Sequence, residues 1–373
     1  MAGSRIMTKV QMKKGNLDDA GEVTRPLLVP GDWPTFLPGS FGSKLLKLSR
    51  ETLMPGTARV GLARGTNRRG NIYSALDLVR DDIAPLVKNS VMLKPNFLSS
   101  TSLLASTHPD AIRGAIDFLL SLPNPPTEIV IAEGANEKEP GETFTNLGYR
   151  SLPDEYDVPI ELLDLHQETR WETIPVSLDD GSEYIVHMPK TVLECPCTIS
   201  VAVAKTHDVC VVTLALKNMI MGTIRKDDRV KMHGFPSHRE RILPNEAQAL
   251  NVNLTRLARF LTPHIGVIDG TVGLQGNGPG GSDAVPLGIA AASSDVFAVD
   301  SVVTKAMGFE PMEQGLSHYG DALGMGVADL DRINVVGARL EDVIVPFKPH
   351  STTDDQLRWE VEGALERLGS ERV

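Results

Sequence analysis

The stretch T-I-S-V-A-V-A-K-T-H, residues 198–207, decides how the rest of the chain is interpreted. Its apolar part, residues 198–204, is typical of a strand that is buried on both faces of a parallel sheet. The run ends abruptly in Lys205, Thr206 and His207, which places polar side chains at the carboxyl end of the strand. Open α/β folds bind their ligands at the carboxyl ends of the strands. We therefore expect an active centre here.

The pattern around this strand predicts an α/β fold, with a mainly parallel sheet, helices on both faces and an antiparallel excursion in the middle. Alternating strand and helix patterns run through residues 58–134, an order that gives parallel strands with right-handed crossovers. The short alternating runs in residues 149–188 are typical of antiparallel strands or of an excursion at the sheet edge. The other predicted strands are 59–63, 91–93, 128–132, 264–268, 286–292 and 333–336, and the predicted helices are 72–87, 107–122, 211–221, 247–261 and 295–307.

Three regions are predicted along the chain. Residues 1–56 form an irregular lead-in, and residues 346–373 form a charged C-terminal tail. Between them, residues 57–345 form an α/β core, which contains the antiparallel insert at residues 151–190. The lead-in is too rich in proline and glycine to be one regular element. We expect it to pack on the core through Trp33, Phe36 and Phe41.

Composition and charge exclude several classes of protein. The 373 residues are 41% hydrophobic and 23% charged, and the formal net charge of −11 disfavours nonspecific binding of nucleic acid. No apolar run reaches the roughly 18 to 20 residues that span a bilayer, and the N-terminus lacks the apolar region of a secretory signal. We expect a cytoplasmic protein that binds neither nucleic acid nor membrane. The oligomeric state stays open, and a homo-oligomer is one option.

Cysteine usage agrees with an intracellular protein. Cys195, Cys197 and Cys210 are an odd number of thiols in a long chain, which disfavours a disulfide framework. The spacing of the first two is C-x-C, not the C-x-x-C of redox or iron–sulfur sites. We expect no iron–sulfur cluster from this chain alone, and small buried cysteines are the simpler interpretation.

Imidazole and amine groups are concentrated just after the central strand, and these groups exchange protons or hold metals near neutral pH. His207 is the candidate acid–base group, Lys217 an anion anchor and Glu133 the polarising carboxylate. His233 is a candidate metal ligand or second base. Further candidates for substrate binding stand at predicted strand ends or beside Lys217, namely Lys94, Asn96, Lys205, Asn218 and Asp269.

Each candidate also has a structural interpretation. His207 could simply bond a neighbouring carbonyl, and Lys217 could be held in a buried ion pair with Glu133 or Asp269. Asp300 is either buried and paired or catalytic. The basic residues Arg225, Lys226, Arg229 and Lys231 form either a solvated face or a mobile lid that attracts an anion, and His238 fits a surface position.

An ordered set of short motifs resembles the domain of unknown function 362 family, a mostly uncharacterised prokaryotic family. The motifs fall within residues 58–337 and are K-P-N (94–96), A-E-G (132–134), V-A-K-T-H (203–207), L-K-N-M-I-M-G (216–222), I-D-G (268–270), G-N-G-P-G-G (276–281) and S-S-D-V-F-A-V-D (293–300). Many relatives carry a ferredoxin-like module with cysteine-bound clusters. This chain lacks those cysteines.

A more distant resemblance is to the nickel-pincer lactate racemase family. His207, Lys217 and His233 follow one another 10 and 16 residues apart, which is similar to that family's histidine, cofactor-tethering lysine and metal-binding histidine. The resemblance implies that His207 exchanges a proton, Lys217 anchors a nickel-pincer-like cofactor and His233 binds a transition metal.

Together these observations predict an enzyme that binds a small anionic metabolite. We expect acid–base chemistry next to a carboxylate, as in an isomerase or racemase, with or without assistance from a metal. Two alternatives stay open at this stage. The first is an iron–sulfur or electron-transfer accessory protein, and the second is a noncatalytic binding or assembly protein.

Overall fold

The computed structural model describes residues 57–371, so the predicted lead-in and its three aromatic contacts lie outside the described residues. The strands are β1 (Ala58–Arg64), β2 (Ser90–Lys94), β3 (Glu128–Glu133), β4 (Ile160–Asp164), β5 (Trp171–Ser177), β6 (Glu183–Pro189), β7 (Thr198–Thr206), β8 (Val212–Thr213), β9 (Ile265–Leu274), β10 (Ala284–Val285), β11 (Ile289–Ser293) and β12 (Ile333–Gly337). The α-helices are α1 (Arg68–Asp77), α2 (Arg80–Ile83), α3 (Pro109–Leu120), α4 (Pro140–Asn146), α5 (Lys190–Leu193), α6 (Ala215–Thr223), α7 (Arg229–Met232), α8 (Asn245–Leu261), α9 (Val296–Ala306), α10 (Gly315–Ala322), α11 (Thr353–Gln356) and α12 (Ala364–Ser370).

Eight strands form the main path of one sheet, in the order β12-β1-β11-β9-β7-β2-β3-β4. Along this path only β11 runs against the others, because it pairs antiparallel with both β1 and β9. The prediction of a mainly parallel α/β fold is confirmed. The predicted antiparallel excursion is the separate two-stranded ribbon of β5 and β6, whereas β4 joins the edge of the main sheet parallel to β3.

Strand β7 lies at the centre of the sheet, and all nine of its residues are buried. It pairs in parallel with β2 on one side and β9 on the other, as expected from its unbroken apolar run. After Lys205 and Thr206 the chain turns back, and the short β8 pairs antiparallel with these two residues. The turn between β7 and β8 therefore holds His207 at the carboxyl edge of the sheet.

Helices cover both faces of the sheet and give two hydrophobic cores. On one face α1 packs against α3, which buries Ile112, Ile116 and Leu119. On the other face α6, α8 and α9 pack together and bury residues such as Leu250 and Leu254. Each such side chain contributes about 1.5 to 3 kcal/mol when it is removed from water. The two cores hold the central strands, and hence the carboxyl edge, in place.

Two predicted helices have different limits in the structure. The predicted helix 72–87 divides into α1 and α2, because Val79 leaves helical geometry with φ −122° and ψ 28° while its side chain is buried. The predicted helix 211–221 begins only at Ala215, because Val211 takes a φ of 60° and the next two residues form β8. A turn and a strand thus precede the helix that carries Lys217.

Two predicted boundaries at the carboxyl edge also change. The predicted helix 107–122 begins at Pro109 as α3, and its cap is His108, whose Nδ1 accepts a hydrogen bond from the Asp110 N–H at 3.0 Å. Thr107 instead donates its hydroxyl to the carbonyl of Val201 at 2.8 Å and so ties this loop to β7. Strand β9 does not end at Asp269 but continues to Leu274.

Candidate functional site

A cleft of about 620 Å³ opens where β7 ends, between the start of α6 and the segment 226–241. The structure places six of the predicted site residues in its wall, namely Asn96, Lys205, His207, Lys217, Asn218 and His233. Three other predicted residues, Lys94, Glu133 and Asp269, lie outside that wall. The cleft is of the size that accommodates a small metabolite.

His207 and Lys217 form a buried pair at the base of the cleft. The imidazole Nε2 lies 2.8 Å from the Lys217 Nζ, and the two residues are 5% and 8% exposed. Burial is the main reason that the pKa of His207 lies well below its ordinary value. Burial also lowers the pKa of Lys217. Both shifts favour the uncharged form relative to an ordinary histidine and an ordinary lysine.

His233 faces the cleft from the loop after α7 and is held by a carboxylate. Its Nδ1 lies 2.6 Å from the Glu246 Oε1, and Arg241 bonds the same oxygen. Burial lowers the pKa of His233, although the hydrogen bond to Glu246 opposes this. Burial alone would raise the pKa of Glu246, but His233 and Arg241 bring it below its ordinary value. A neutral imidazole bonded through Nδ1–H presents an unprotonated Nε2.

Lys205 is buried, and no carboxylate among residues 57–371 is paired with it. Its ammonium donates to the Asn96 Oδ1 and to the Ala105 carbonyl, the latter at 2.7 Å. Burial is the main reason that the pKa of Lys205 is lowered to about 7. Asn96 and Lys205 therefore reach the cleft wall as one hydrogen-bonded unit.

Lys94 and Glu133 form an ion pair beneath the cleft, and this corrects two predicted positions. Both side chains are almost completely buried. The Glu133 carboxylate also accepts hydrogen bonds from the N–H groups of Phe97 and Gly134 at 2.9 and 2.8 Å. Burial lowers the pKa of Lys94 to about 8 even beside this carboxylate. The pair supports the floor of the cleft, and neither group is free to contact a ligand or to polarise one.

Asp269 also takes a different position from the predicted one. Because β9 continues past it, the carboxylate points away from the cleft, accepting from Arg68 Nε at 2.6 Å and from the Thr271 N–H at 2.9 Å. Neither Glu133 nor Asp269 is therefore the partner of Lys217, whose Nζ contacts His207 instead.

The start of α6 is fixed by Asp300, which resolves the two interpretations of that residue. Its carboxylate accepts hydrogen bonds from the N–H groups of Ala215 and Leu216, at 2.9 and 3.0 Å. These are donors that a helix start leaves unsatisfied. Burial raises the pKa of Asp300 to about 7. Asp300 thus positions the helix turn that carries Lys217, from outside the cleft.

The rim of the cleft is positively charged. Lys226, Arg229 and Arg241 line it, whereas the acidic residues in its wall are Asp208 and Asp227. Arg229 bonds the carbonyl of Gly134, which attaches this rim to the end of β3. In a chain with a net charge of −11, this local excess of positive charge favours an anionic ligand. The exposed His238 also lines the cleft.

The other basic residues of that segment face elsewhere. Arg225 donates to Asp228 at 2.8 Å, and Lys231 donates to the carbonyl of Pro236 at 2.7 Å. Asp228 is fully buried and also accepts from His187, so it attaches the segment to β6. Of the four basic residues considered as a lid, two therefore anchor the segment and two contribute to the cleft.

Several residues that shape the site were missed by sequence reasoning. Asp208, Arg241 and Glu246 join the His207 turn to His233, and Arg241 Nη2 lies 3.3 Å from the Asp208 Oδ2. Gln356 is 1% exposed and accepts the N–H of Val211 at 2.6 Å, across 145 residues of sequence. No local motif marks these residues, because each acts through a partner that is distant in the sequence.

A metal held by protein side chains alone does not fit the residues described. Within residues 57–371, no three His, Cys, Asp or Glu side chains are grouped so that they could hold a metal ion. Cys195 and Cys197 precede β7, whereas Cys210 follows it at the opposite end of the strand. Among the helices of residues 57–371, none has both the length and the apolarity needed to cross a bilayer.

The fold and the ordered motifs define the class of this protein. The chain belongs to the family described as Domain of unknown function (DUF362), whose model matches residues 91–305, more than half of the chain. The predicted membership is confirmed. The match includes β7, α6 and the loop of His233, so the cleft is built mainly from the family's common region.

Individual proteins that are similar to this chain include a curated relative and a solved structure. One is Thylakoid-associated protein sll1697 of Synechocystis sp., 26% identical over 166 residues, which are 44% of this chain and 47% of that protein. The chain thus matches about half the length of this curated relative. The other is the lactate racemase apoprotein from Thermoanaerobacterium thermosaccharolyticum, with 16% identity, a TM-score of 0.36 and coverage of 58% of this chain and 50% of that one. A likeness this distant carries no argument about activity.

Proposed function

We propose that this protein is an enzyme that binds a small anion and moves a proton next to a carboxylate, as an isomerase or a racemase does. One observation carries the proposal. Two buried basic centres whose pKa values are lowered, the His207–Lys217 pair and His233, line a single cleft with a cationic rim. Such a cleft can hold a carboxylate at its rim and accept a proton at its base.

The acid–base role belongs to the His207–Lys217 pair as a unit. At a separation of 2.8 Å the two nitrogens share one proton, and because both pKa values are lowered the pair can take up a second. His233 is the second base, since Glu246 orients its ring and leaves Nε2 towards the cleft. Two bases in one cleft suit a reaction that removes a proton at one position and returns it at another.

The carboxylate of the ligand is assigned to the rim. Lys226, Arg229 and Arg241 supply positive charge, and guanidinium groups bind carboxylates with paired hydrogen bonds. Asn218 borders the same space, and its Nδ2 is held by the Ser200 hydroxyl at 2.9 Å. The held amide of Asn218 and the cationic groups of the rim therefore border the same cleft.

A metal cofactor that brings its own donor atoms is a finer version of the same proposal. His233 is the residue that would ligate it, because a carboxylate on Nδ1 is the usual support of a metal-binding imidazole. Lys217 would anchor the organic part of such a cofactor. A bound metal would supply Lewis acidity to the ligand. Elemental analysis and intact mass of the purified protein test this version independently of activity.

The proposal is tested by proton exchange. The full chain is incubated in D₂O with a panel of small hydroxy, oxo and amino carboxylates, and deuterium uptake next to the carboxylate is followed by NMR. We expect exchange for at least one ligand, and a loss of about 100-fold or more in Lys217→Met and His233→Asn, the usual size of an acid–base contribution.

His264→Asn is the matched control, because His264 lies at the opposite end of the sheet and bonds Thr198. This variant should exchange like the original protein. If no panel member binds, as judged by thermal stabilisation, the assignment of a small anionic ligand is overturned. If ligands bind and Lys217→Met exchanges as fast as the original protein, the acid–base assignment is overturned.

A further inference from the structure

The hydrogen bonds around His207 determine which of its nitrogens carries the proton. The N–H groups of Val209 and Cys210 both point at Nδ1, at 3.0 and 3.3 Å. Nδ1 is therefore an acceptor, and the proton of the neutral imidazole is on Nε2. Asp208 Oδ1 also lies 3.0 Å from Nδ1, but that carboxylate is half exposed and bound by Arg241. A proton on Nδ1 would face the hydrogens of both backbone donors.

The position of this proton determines the state of Lys217. The Nε2–H faces the Lys217 Nζ at 2.8 Å, and a hydrogen bond in this direction needs a lone pair on Nζ. An ammonium has no lone pair and only donates. The arrangement therefore requires Lys217 to be a neutral amine with His207 as its donor.

The surroundings of Lys217 support the neutral state. Cys210, Asp208 and Glu246 lie near enough to favour an ammonium, and Arg241 opposes them, but burial outweighs these charges. Lys94 provides the contrast within the same protein, because its amine is paired directly with Glu133. Lys217 thus combines burial, an imidazole donor and a place in the wall of the cleft.

We propose that Lys217 is a nucleophile that forms an imine with the carbonyl group of a small oxo-carboxylate, such as a 2-oxo acid. This inference rests on the proposed function and names its substrate class. A neutral amine adds to an aldehyde or a ketone, whereas an ammonium does not. The cationic rim of Lys226, Arg229 and Arg241 selects carbonyl compounds that also carry a carboxylate.

The chemistry is balanced without an oxidant or a reductant. The Nζ lone pair forms a bond to the carbonyl carbon, and the C=O π electrons move to the oxygen. The oxygen takes up two protons and leaves as water while the C=N bond forms. His207 Nε2–H supplies the first proton and regains it from the attacking nitrogen, which also supplies the second. The net change is amine plus carbonyl to imine plus water. In the imine of pyruvate the carbon next to the C=N bond is the methyl carbon C3, and the imine withdraws electrons from it, so a proton there becomes easier for His233 to remove. Glyoxylate has no such carbon and reports only the formation of the imine.

The test is reductive trapping of the full chain. The protein is incubated with pyruvate or glyoxylate and sodium cyanoborohydride, which donates hydride to an imine, and peptides are analysed by mass spectrometry. We expect the adduct to form on Lys217, and to form there at pH 7 as well as at higher pH. Each unit by which the pKa of an amine is lowered raises its neutral fraction about tenfold. Lys138, exposed at the surface, should react only as the pH approaches the pKa of an ordinary lysine.

Each outcome decides the matter. Trapping on Lys217 that is prevented by His207→Leu but not by Lys138→Met supports the inference. Labelling confined to exposed lysines, or labelling of Lys217 only at the pH where Lys138 also reacts, overturns it. Because the original protein is the sample, the result does not depend on the folding of a variant. If deuterium exchange next to a carboxylate occurs without an adduct on Lys217, only the imine is refuted and the proposed function stands.

Discussion

Replacement of Lys205 by methionine is expected to change how the stability of this protein depends on pH. Lys205 is 1% exposed, and its amine is bonded only to neutral groups, the side chain of Asn96 and the carbonyl of Ala105. Burial is the main reason that its pKa falls from 10.5 to about 7. Between these two values the unfolded chain binds a proton at this position that the folded chain does not.

The sign and the size of the effect follow from proton linkage. The pKa of Lys205 is lower in the folded state, about 7, than in the unfolded state, 10.5. The stability that comes from its neutral amine is therefore complete above pH 10.5 and is lost as the pH falls through 7. The slope is at most about 1.4 kcal/mol per pH unit, which amounts to on the order of 5 kcal/mol over the whole window. Lys205→Met removes this slope, whatever constant change in stability the lost hydrogen bonds cause.

Urea unfolding at several pH values between 7 and 9.5 measures this effect. The free energy of unfolding of the original protein, minus that of Lys205→Met, should rise with pH by about 2 to 3 kcal/mol across this range. Lys138→Met is the control, because that side chain is 57% exposed and its removal should leave the pH profile unchanged. A difference curve for Lys205→Met that stays flat would refute the reasoning.

Three further substitutions test other contacts. Asp300→Asn should be less stable than the original protein at pH 4, and the difference should be smaller at pH 7. The pKa of Asp300 is raised to about 7 in the folded state, so its stabilising contribution is complete below the ordinary value of 3.8 and is lost as the pH rises through 7. Equal differences at both pH values in urea unfolding would contradict this. Glu246→Leu should cost about 3 to 5 kcal/mol in the same assay, since it leaves Arg241 without its buried carboxylate, and Glu246→Gln should cost less. Gly222→Ala should cost about 1 to 3 kcal/mol, because its Cβ would overlap the amine of Lys94, and an unchanged thermal midpoint would show that the floor of the cleft can adjust.

The elements that sequence reasoning located well are those whose burial is complete or strictly periodic. β7 has only buried residues, and α8 has a clear apolar face, so their patterns are not ambiguous. The position of His207 followed directly from the end of β7, because a parallel sheet leaves its carboxyl ends on one side. The family motifs supported the same region.

The errors have a common physical origin in contacts that are distant in sequence. Asp269 was placed at a strand end, but pairing with β11 extends β9 to Leu274. Glu133 was assigned to catalysis, but Lys94, on the neighbouring strand, neutralises it below the cleft. An acidic residue at a strand end has the same local signal whether it faces a ligand or a buried lysine. Only the three-dimensional partner distinguishes the two.

The turn that holds His207 depends on a residue near the other end of the described chain. Val211 adopts a φ of 60°, which is unusual for a β-branched residue, and its N–H is accepted by Gln356. During synthesis on the ribosome, this acceptor emerges long after the strand that carries the histidine. A nascent chain that ends before Gln356 therefore lacks this hydrogen bond, and the geometry of the turn is completed only when α11 docks.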